Sequence, residues 1–161
     1  MKVRQATTDD LSQLKYLYYQ LLLFEKQFES ALSPAYAMSD NATDFLTDVC
    51  STEGPLLGYV LEDDAGEIGG YGVLFEISTL DTKHLGGLKF FHINTLFVSE
   101  KYRGQGNGRL LMNALEKVAK ERGGERLSVE FIKANTHAGN VYEAAGFRGK
   151  LTTMQKSIVA E

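Results

Sequence analysis

The sequence predicts a mixed α/β fold in one domain that spans residues 1–161. Its 161 residues, of which 43% are hydrophobic and 24% charged, suit a single globular domain with a sizeable core. Apolar residues recur at helical spacing in some segments and in short runs rich in β-branched residues in others. A loop dense in glycine joins one such run to an amphipathic helix. These observations favour the element order βααβββαβαββ, with helices flanking a central sheet.

The first part of the chain is predicted to hold one strand and two helices. Residues 2–5 form the strand, and Thr7 with Asp10 matches a capping box in which aspartate replaces glutamate. The first helix repeats apolar residues at helical spacing, namely Leu11, Leu14, Tyr18, Leu21 and Leu22. After the break at Ser33-Pro34, a weaker helix is predicted over residues 41–50.

A hairpin and a buried strand follow. Residues 58–61 and 68–77 form the two strands of the hairpin around a turn at residues 63–66. A glycine-containing loop at residues 79–87 leads into residues 89–98, whose phenylalanine and β-branched residues predict a buried strand.

The last part of the chain begins with a strongly amphipathic helix after the glycine-dense loop. Its apolar face is formed by Leu110, Leu111, Ala114, Leu115, Val118 and Ala119. Gly123-Gly124 ends this helix, as glycine C-caps do. A strand over residues 126–132, a short helix over residues 137–145 and a final pair of short strands after Phe147 complete the prediction.

Composition excludes several classes of protein. A net charge of −4 without a basic stripe argues against a nucleic-acid partner. The single cysteine, Cys50, permits no intrachain disulfide, and no histidine pair has metal-ligand spacing, so no metal is expected. No apolar run approaches the ~18 residues of a membrane span, and the first residues lack the apolar core of a signal peptide. We therefore expect a soluble cytoplasmic protein with no membrane partner.

The glycine-dense loop is the most informative segment. Gly104, Gly106 and Gly108 alternate directly before a helix N-terminus, where unpaired N–H groups and the positive end of the helix dipole meet. Glycines let the backbone approach an anion closely, and Arg103 can add a charged donor. The pattern favours a phosphate or pyrophosphate cradle over the alternative, a plain tight turn.

Two familiar phosphate motifs do not fit this loop. Arg109 stands where both the Walker motif and the dinucleotide motif G-x-G-x-x-G require glycine. Glu130 follows at about the place of a ribose-binding acid, which keeps a dinucleotide site open as an alternative. The loop, however, follows the fourth predicted strand, whereas dinucleotide folds place it after the first.

Two motifs carry a family resemblance. The first is [Q/R]-x-x-G-x-[G/A], present as Arg103, Gly106 and Gly108 after a strand that ends Leu96-Phe97-Val98. The second is N-x-x-A-x-x-x-Y-x-x-x-G-F, present as Asn135, Ala138, Tyr142, Gly146 and Phe147. With these residues, which lie within residues 90–147, the sequence resembles the GCN5-related N-acetyltransferase (GNAT) superfamily.

The resemblance implies a fold, a reaction and a set of binding residues. The fold is one domain with a central, mostly antiparallel sheet in which the strand before the loop runs parallel to residues 126–132. The reaction is transfer of acetyl from acetyl-CoA to a primary amine within a ternary complex. The residues expected to bind acetyl-CoA are Leu96, Phe97, Val98, Arg103, Gly104, Gln105, Gly106, Asn107, Gly108, Arg109, Asn135 and Tyr142.

Acetyl transfer from a thioester needs a neutral amine, a donor for the oxyanion and a proton for the leaving thiolate. Tyr142 suits the last task, because a tyrosine pKa of about 10 exceeds a thiol pKa of about 8.5 and the phenol keeps its proton until the thiolate forms. The alternative is that Tyr142 is only an aromatic residue of the core. The base stays open between His92, Glu76 and water. Strand alternation predicts that His92, Asn94 and Leu96 share one face, although Asn94 itself cannot titrate.

The acceptor is the least determined part of the prediction. Glu25, Glu76 and Asn94 are the candidates for acceptor binding. A small-molecule amine is favoured, and a protein lysine or N-terminus is the alternative. The resemblance is the only ground for expecting a homodimer. A non-catalytic acyl-CoA-binding module is a further alternative. A covalent acetyl-enzyme at Cys50 is not favoured, because Cys50 is better explained as a buried apolar residue.

Overall fold

The computed structural model describes residues 1–77, 83–156 and 158. The helices are α1 Leu11–Glu25, α2 Asp40–Val49, α3 Asn107–Glu121 and α4 Thr136–Ala144. The strands are β1 Lys2–Gln5, β2 Leu56–Glu62, β3 Ile68–Ile77, β4 Phe90–Val98 and β5 Arg126–Val129. The predicted order of elements is therefore confirmed as far as α4.

The predicted final pair of strands is wrong for the part of the chain that the structure describes. No strand follows α4, and Leu151 and Met154 are almost fully exposed. A strand needs a hydrogen-bonding partner, and residues 148–156 do not return to the sheet edge at β5. Strand β5 also ends at Val129 instead of residue 132. The loop predicted at residues 79–87 lies partly outside the described residues.

One sheet with the strand order β1-β2-β3-β4-β5 forms the centre of the molecule. Neighbouring strands run antiparallel from β1 to β4, whereas β4 and β5 run parallel. This arrangement confirms the predicted mixed, mostly antiparallel sheet and the predicted parallel pair. Helix α3 makes the crossover between the two parallel strands, so its N-terminus lies just beyond the carboxyl end of β4.

Two apolar clusters cover the two faces of the sheet. Helices α1 and α2 pack on one face, which we call the α1 face, through residues that include Leu14, Leu17, Leu46, Tyr71 and Phe97. Helix α3 covers the other face, the α3 face, through residues that include Leu74, Phe91, Ile93, Leu115 and Tyr142. Close approach of α3 depends on Gly72, where an added Cβ would lie 2.8 Å from Leu115 Cδ1.

The predicted capping box at the start of the first helix is present. The Asp10 carboxylate accepts a hydrogen bond of 2.8 Å from the Thr7 backbone N–H. Arg4 donates two further hydrogen bonds of 2.8 Å to the same carboxylate and lowers its pKa. Among the described residues, no helix is both long and apolar enough to cross a membrane.

Candidate active site

The glycine loop connects β4 to α3 through a short 3₁₀ turn at Glu100–Tyr102. Gly104 (φ +73°) and Gly106 (φ +79°) adopt left-handed backbone conformations that other residues rarely take. The N–H groups of residues 104–109 donate to no acceptor within the described chain. Six consecutive free donors at the positive end of a 15-residue helix form a site suited to an anion such as a pyrophosphate.

Side chains within the loop stabilise its shape. The buried Asn107 amide donates a hydrogen bond of 2.9 Å to the Tyr102 carbonyl. Gln105 Nε2 donates to the Lys101 carbonyl at 3.2 Å, and Tyr102 Oη donates to Asp63 at 2.8 Å. The side chains of Asn107 and Gln105 therefore bond within the loop, and it is the backbone that faces outward for an anion.

Replacement of Asn107 by alanine is expected to lower the free energy of unfolding by about 1–3 kcal/mol, because the Tyr102 carbonyl loses its buried donor. Urea unfolding measures the effect. Asn113→Ala on the exposed side of the same helix is the matched control and should change stability by less than about 0.5 kcal/mol. Equal losses in the two variants would show that the Asn107 hydrogen bond does not stabilise the loop.

Arg103 joins the loop to the end of α1. Its Nε donates a hydrogen bond of 2.7 Å to the Val98 carbonyl. Its guanidinium lies 4.6 Å from the ring centroid of Phe24 and 5.3 Å from that of Phe97. Cation–π contacts with both rings hold the last turn of α1 against the carboxyl half of β4. The Nη groups of Arg103 make no hydrogen bond with the described residues and can be offered to an anion.

A gap opens between β4 and β5 beside this loop. The two strands pair only over Phe90–Ile93 of β4 and Arg126–Val129 of β5. In the described part of the chain, the rest of β4, which includes Leu96, Phe97 and Val98, has no strand partner on this edge. Unpaired strand edges offer N–H and C=O groups to an extended ligand such as a pantetheine chain.

A β-bulge lies in β4 at the start of the gap. Thr95 lies opposite Val73 and Ile93 opposite Leu74, so Asn94 is an extra residue without a partner on β3. The Asn94 side chain is exposed, and its Oδ1 accepts a hydrogen bond of 3.1 Å from Thr95 Oγ1. The bulge therefore fixes the position of a polar side chain beside the gap.

The bulge makes one prediction wrong, namely that His92, Asn94 and Leu96 share a face. One extra residue reverses the alternation, so Leu96 packs with Phe91 on the α3 face. His92 follows Phe91 and therefore points to the opposite, α1 face. Asn94 is the extra residue of the bulge and is assigned to neither face. Its side chain accepts the hydrogen bond from Thr95.

His92 is half-buried beside β5. Its Nδ1 lies 2.9 Å from Ser128 Oγ on the neighbouring strand. Burial lowers the pKa of His92 below 6.5, and the charge of Glu130 opposes part of that effect. A neutral imidazole can accept a proton, so the structure gives His92 the protonation state that a base requires at pH 7.

Tyr142 lies on α4 with its ring buried. It packs between Phe131 and Phe147, at ring-centroid distances of 5.7 and 5.9 Å. Its hydroxyl makes no hydrogen bond with the described residues and keeps access to solvent. Burial, followed by the charge of Glu25, raises the pKa of Tyr142 to about 12. The phenol therefore holds its proton at neutral pH.

Asn135 is the N-cap of α4. Its Oδ1 accepts a hydrogen bond of 3.1 Å from the Ala138 N–H, and its Nδ2 donors make no hydrogen bond with the described residues. The second motif of the sequence analysis thus has a structural basis, because the same helix carries Asn135 at its start and Tyr142 near its end.

The three acceptor-binding candidates do not lie together. Glu25 ends α1 near the carboxyl half of β4, and Asn94 lies at the bulge. Glu76 is paired with Lys89 at 2.8 Å and Arg122 at 3.5 Å. It lies opposite Phe91 on the α3 face of the sheet, whereas Glu25 ends a helix that packs on the α1 face. The structure therefore places Glu76 on the other side of the sheet from Glu25.

Two other titratable features bear on the chemistry. Burial raises the pKa of the Cys50 thiol to about 11, so Cys50 is a protonated apolar residue of the core. In the part of the chain that the structure describes, no three metal-ligating side chains come together.

Sequence reasoning missed Phe24, Tyr71 and Thr95. Their contacts join distant elements, and none of them belongs to a motif.

The splayed parallel strand pair, the row of free N–H groups at the start of α3 and the tyrosine on α4 are the features expected of an acyl-CoA-dependent acyltransferase. The family model of the acetyltransferase (GNAT) family matches residues 18–147, and the chain belongs to this family. GNAT acetyltransferases use acetyl-CoA as the acetyl donor.

Solved structures confirm the fold. A tetramutant of the BH1408 protein from Bacillus halodurans is 23% identical, with a TM-score of 0.86 over 98% of this chain and 100% of that chain. AAC(6')-Iy, in complex with the bisubstrate analogue CoA-S-monomethyl-acetylneamine, is 16% identical, with a TM-score of 0.69 over 99% and 98% of the two chains. A ribosomal-protein-alanine N-acetyltransferase from Brucella melitensis is 13% identical, with a TM-score of 0.70 over 98% and 99%. Comparison with curated protein sequences finds no match.

Proposed function

We propose that this protein transfers the acetyl group of acetyl-CoA to a primary amine of a small molecule by direct attack in a ternary complex. The observation that carries the proposal is the row of free N–H groups at residues 104–109 next to the open edge of β4. The cradle suits the pyrophosphate of CoA, and the open strand edge suits the pantetheine arm, which brings the thioester towards Tyr142. Residues 1–161 would act as one domain, as a homodimer and in the cytoplasm.

The proposed reaction assigns each proton to a group of this chain. The neutral amine attacks the thioester carbonyl, and a backbone N–H on the open edge of β4 stabilises the oxyanion. The carbon–sulfur bond then breaks, and Tyr142 gives its proton to the thiolate. His92 accepts the proton that the amine nitrogen loses, directly or through water, and solvent restores both residues.

A small-molecule acceptor is preferred over a protein acceptor for one structural reason. The acceptor side of the gap is bordered by the last turn of α1, where Arg103 packs against Phe24. We propose that this contact limits the size of the acceptor that can enter from the α1 face. The two kinds of acceptor are both represented among the structural neighbours, one of which is bound to a CoA–neamine analogue and one of which is named for ribosomal-protein alanine.

The experiment is an assay of CoA release from acetyl-CoA in the presence of single small amines and, separately, of lysine-containing peptides. We expect small amines to cause CoA release above the background hydrolysis of acetyl-CoA. Release with peptides alone would move the assignment to a protein acceptor. Tight acetyl-CoA binding without release by any amine would indicate a non-catalytic acyl-CoA-binding module.

The pH dependence of the rate tests His92 as the base. Because burial lowers its pKa below 6.5, His92 stays neutral at pH 7 and is protonated only under more acidic conditions. We expect kcat/KM to fall on the acidic side, below about pH 6.5, and His92→Gln to abolish that limb. The exposed His84→Gln is the matched control. A limb that survives in His92→Gln would assign the base to another group or to water.

A further inference from the structure

His92 and Ser128 lie opposite each other where β4 and β5 begin to part. The register pairs His92 with Ser128 and, one residue further on, Ile93 with Val129, which is the last pair before the gap. Leu127 and Val129 pack on the α3 face, so Ser128 between them points to the α1 face, as His92 does. The two side chains therefore meet on the side of the gap from which the acceptor approaches in the proposed reaction.

The hydroxyl of Ser128 takes part in two contacts. Its Oγ donates to the Phe91 carbonyl at 3.4 Å and lies 2.9 Å from Nδ1 of His92. A hydroxyl has a single hydrogen and two lone pairs, and a carbonyl can only accept. Because the hydrogen of Ser128 is directed to Phe91, Oγ is an acceptor towards His92, and Nδ1 carries the ring hydrogen. The reverse arrangement, with Oγ–H donating to Nδ1, would leave two acceptors facing each other at the Phe91 carbonyl.

The other ring nitrogen of His92, Nε2, makes no hydrogen bond with the described residues. It is not a buried atom, so it reaches the solvent on the α1 face. Burial lowers the pKa of His92, and a neutral imidazole carries one ring hydrogen and one lone pair. With the hydrogen on Nδ1, the lone pair lies on Nε2, where the acceptor amine can reach it. With the hydrogen on Nε2, the ring would offer the amine a donor and no base.

We propose that Ser128 is a positioning residue, which holds neutral His92 in the tautomer with its hydrogen on Nδ1 and so presents the basic Nε2 to the acceptor amine. The catalytic consequence rests on the proposed function, whereas the tautomer is a property of the free protein. When Nε2 takes the proton of the amine nitrogen, Ser128 Oγ still accepts from Nδ1–H. The contact therefore suits both protonation states of His92, and Nε2 returns the proton to solvent.

The first experiment reads the tautomer by ¹⁵N NMR of the histidine rings at about pH 8, where His92 is neutral. In a neutral imidazole the bare nitrogen resonates far downfield of the nitrogen that carries the hydrogen, and the signals lost in His92→Gln identify this residue. We expect the hydrogen on Nδ1 in the wild type and a shift towards the Nε2–H tautomer in Ser128→Ala. Ser128→Thr, which keeps the hydroxyl, should restore the wild-type tautomer.

The second experiment measures CoA release with the same variants. We expect Ser128→Ala to lower kcat about 10- to 100-fold, the usual effect of removing a group that orients a functional histidine, with little change in KM for acetyl-CoA. Ser128→Thr should recover most of the rate. Ser51→Ala is the matched control, because Ser51 is also half-buried and its Oγ takes part in one hydrogen bond, from the Glu53 N–H at 3.1 Å. It should keep the wild-type rate and the wild-type tautomer.

The outcomes separate this inference from the proposed function. Hydrogen on Nε2 in the wild type, or an unchanged tautomer in Ser128→Ala, overturns the inference and leaves the acetyltransferase assignment intact. A changed tautomer with an unchanged kcat also overturns it, since Ser128 would then act on His92 without consequence for the reaction. If no amine causes CoA release, the proposed function fails, and the wild-type and Ser128→Ala spectra decide whether Ser128 sets the tautomer. Thermal unfolding verifies that each variant is folded, and the wild-type spectrum tests the tautomer independently of the serine variants.

Discussion

Replacement of Tyr142 by phenylalanine is expected to lower kcat about 100- to 10,000-fold and to leave acetyl-CoA affinity nearly unchanged. The substitution removes only the hydroxyl that protonates the leaving thiolate. The ring contacts with Phe131 and Phe147, which hold the residue in place, are retained. Because the Tyr142 hydroxyl makes no hydrogen bond within the described chain, its loss leaves no buried group unpaired.

CoA release measures kcat, and calorimetry measures the dissociation constant of acetyl-CoA. Tyr16→Phe, at a position where the side chain is exposed, is the matched control and should be fully active. Since the pKa of Tyr142 is raised to about 12, the wild-type rate should show no alkaline loss from this group below that pH. Unchanged turnover in Tyr142→Phe would contradict its role as the acid.

Replacement of Gly106 by alanine is expected to weaken acetyl-CoA binding about 10- to 100-fold, the effect of losing one hydrogen bond to a charged group. Gly106 immediately precedes α3 and has φ +79°, which alanine adopts only with strain. An added Cβ meets no protein atom within 4 Å, so it projects into the open space that the free N–H groups border. Both effects disturb the anion cradle.

Gly66→Ala is the matched control for this variant. Gly66 has φ +82°, and a Cβ there also meets nothing within 4 Å, but it lies in the hairpin turn between β2 and β3. The two variants should lose similar stability, about 1–2 kcal/mol, because the backbone strain is the same. Only Gly106→Ala should lose affinity for acetyl-CoA. Equal affinities in the two variants would place the pyrophosphate away from this loop.

The sequence was most informative where structure depends on local spacing. The glycine loop, the helix that follows it and the short helix that carries Tyr142 were all predicted from residues close in sequence. Such features are determined by backbone conformation and by capping, which involve neighbouring residues only. The order of the elements as far as α4 followed from the periodicity of apolar residues.

The features that sequence reasoning missed depend on pairing between distant segments. The bulge at Asn94 arises from the register of β3 against β4, and no sequence pattern in β4 predicts it. It reversed the predicted orientation of Leu96 relative to His92. The contact of Arg103 with Phe24 joins residues that are far apart in the chain. Tyr71 belongs to no motif, and the cluster that buries it joins β3 to α1 and α2.

The C-terminal prediction failed for a related reason. Two short strands were predicted after Phe147, but a strand exists only where another strand offers its edge. In the described part of the chain, residues 148–156 pair with no strand, and β5 ends at Val129. Pairing of this kind cannot be read from the segment itself.

The most direct test of the central claim, that this chain binds acetyl-CoA at the glycine loop, is thermal unfolding with acetyl-CoA, NADH or ATP. A ligand at a hundred times its dissociation constant adds about 2.7 kcal/mol to the free energy of unfolding, which raises the midpoint by several degrees. We expect this shift with acetyl-CoA, a smaller shift in Gly106→Ala, and no shift with NADH or ATP. No shift with acetyl-CoA, or a shift with NADH or ATP instead, would contradict it.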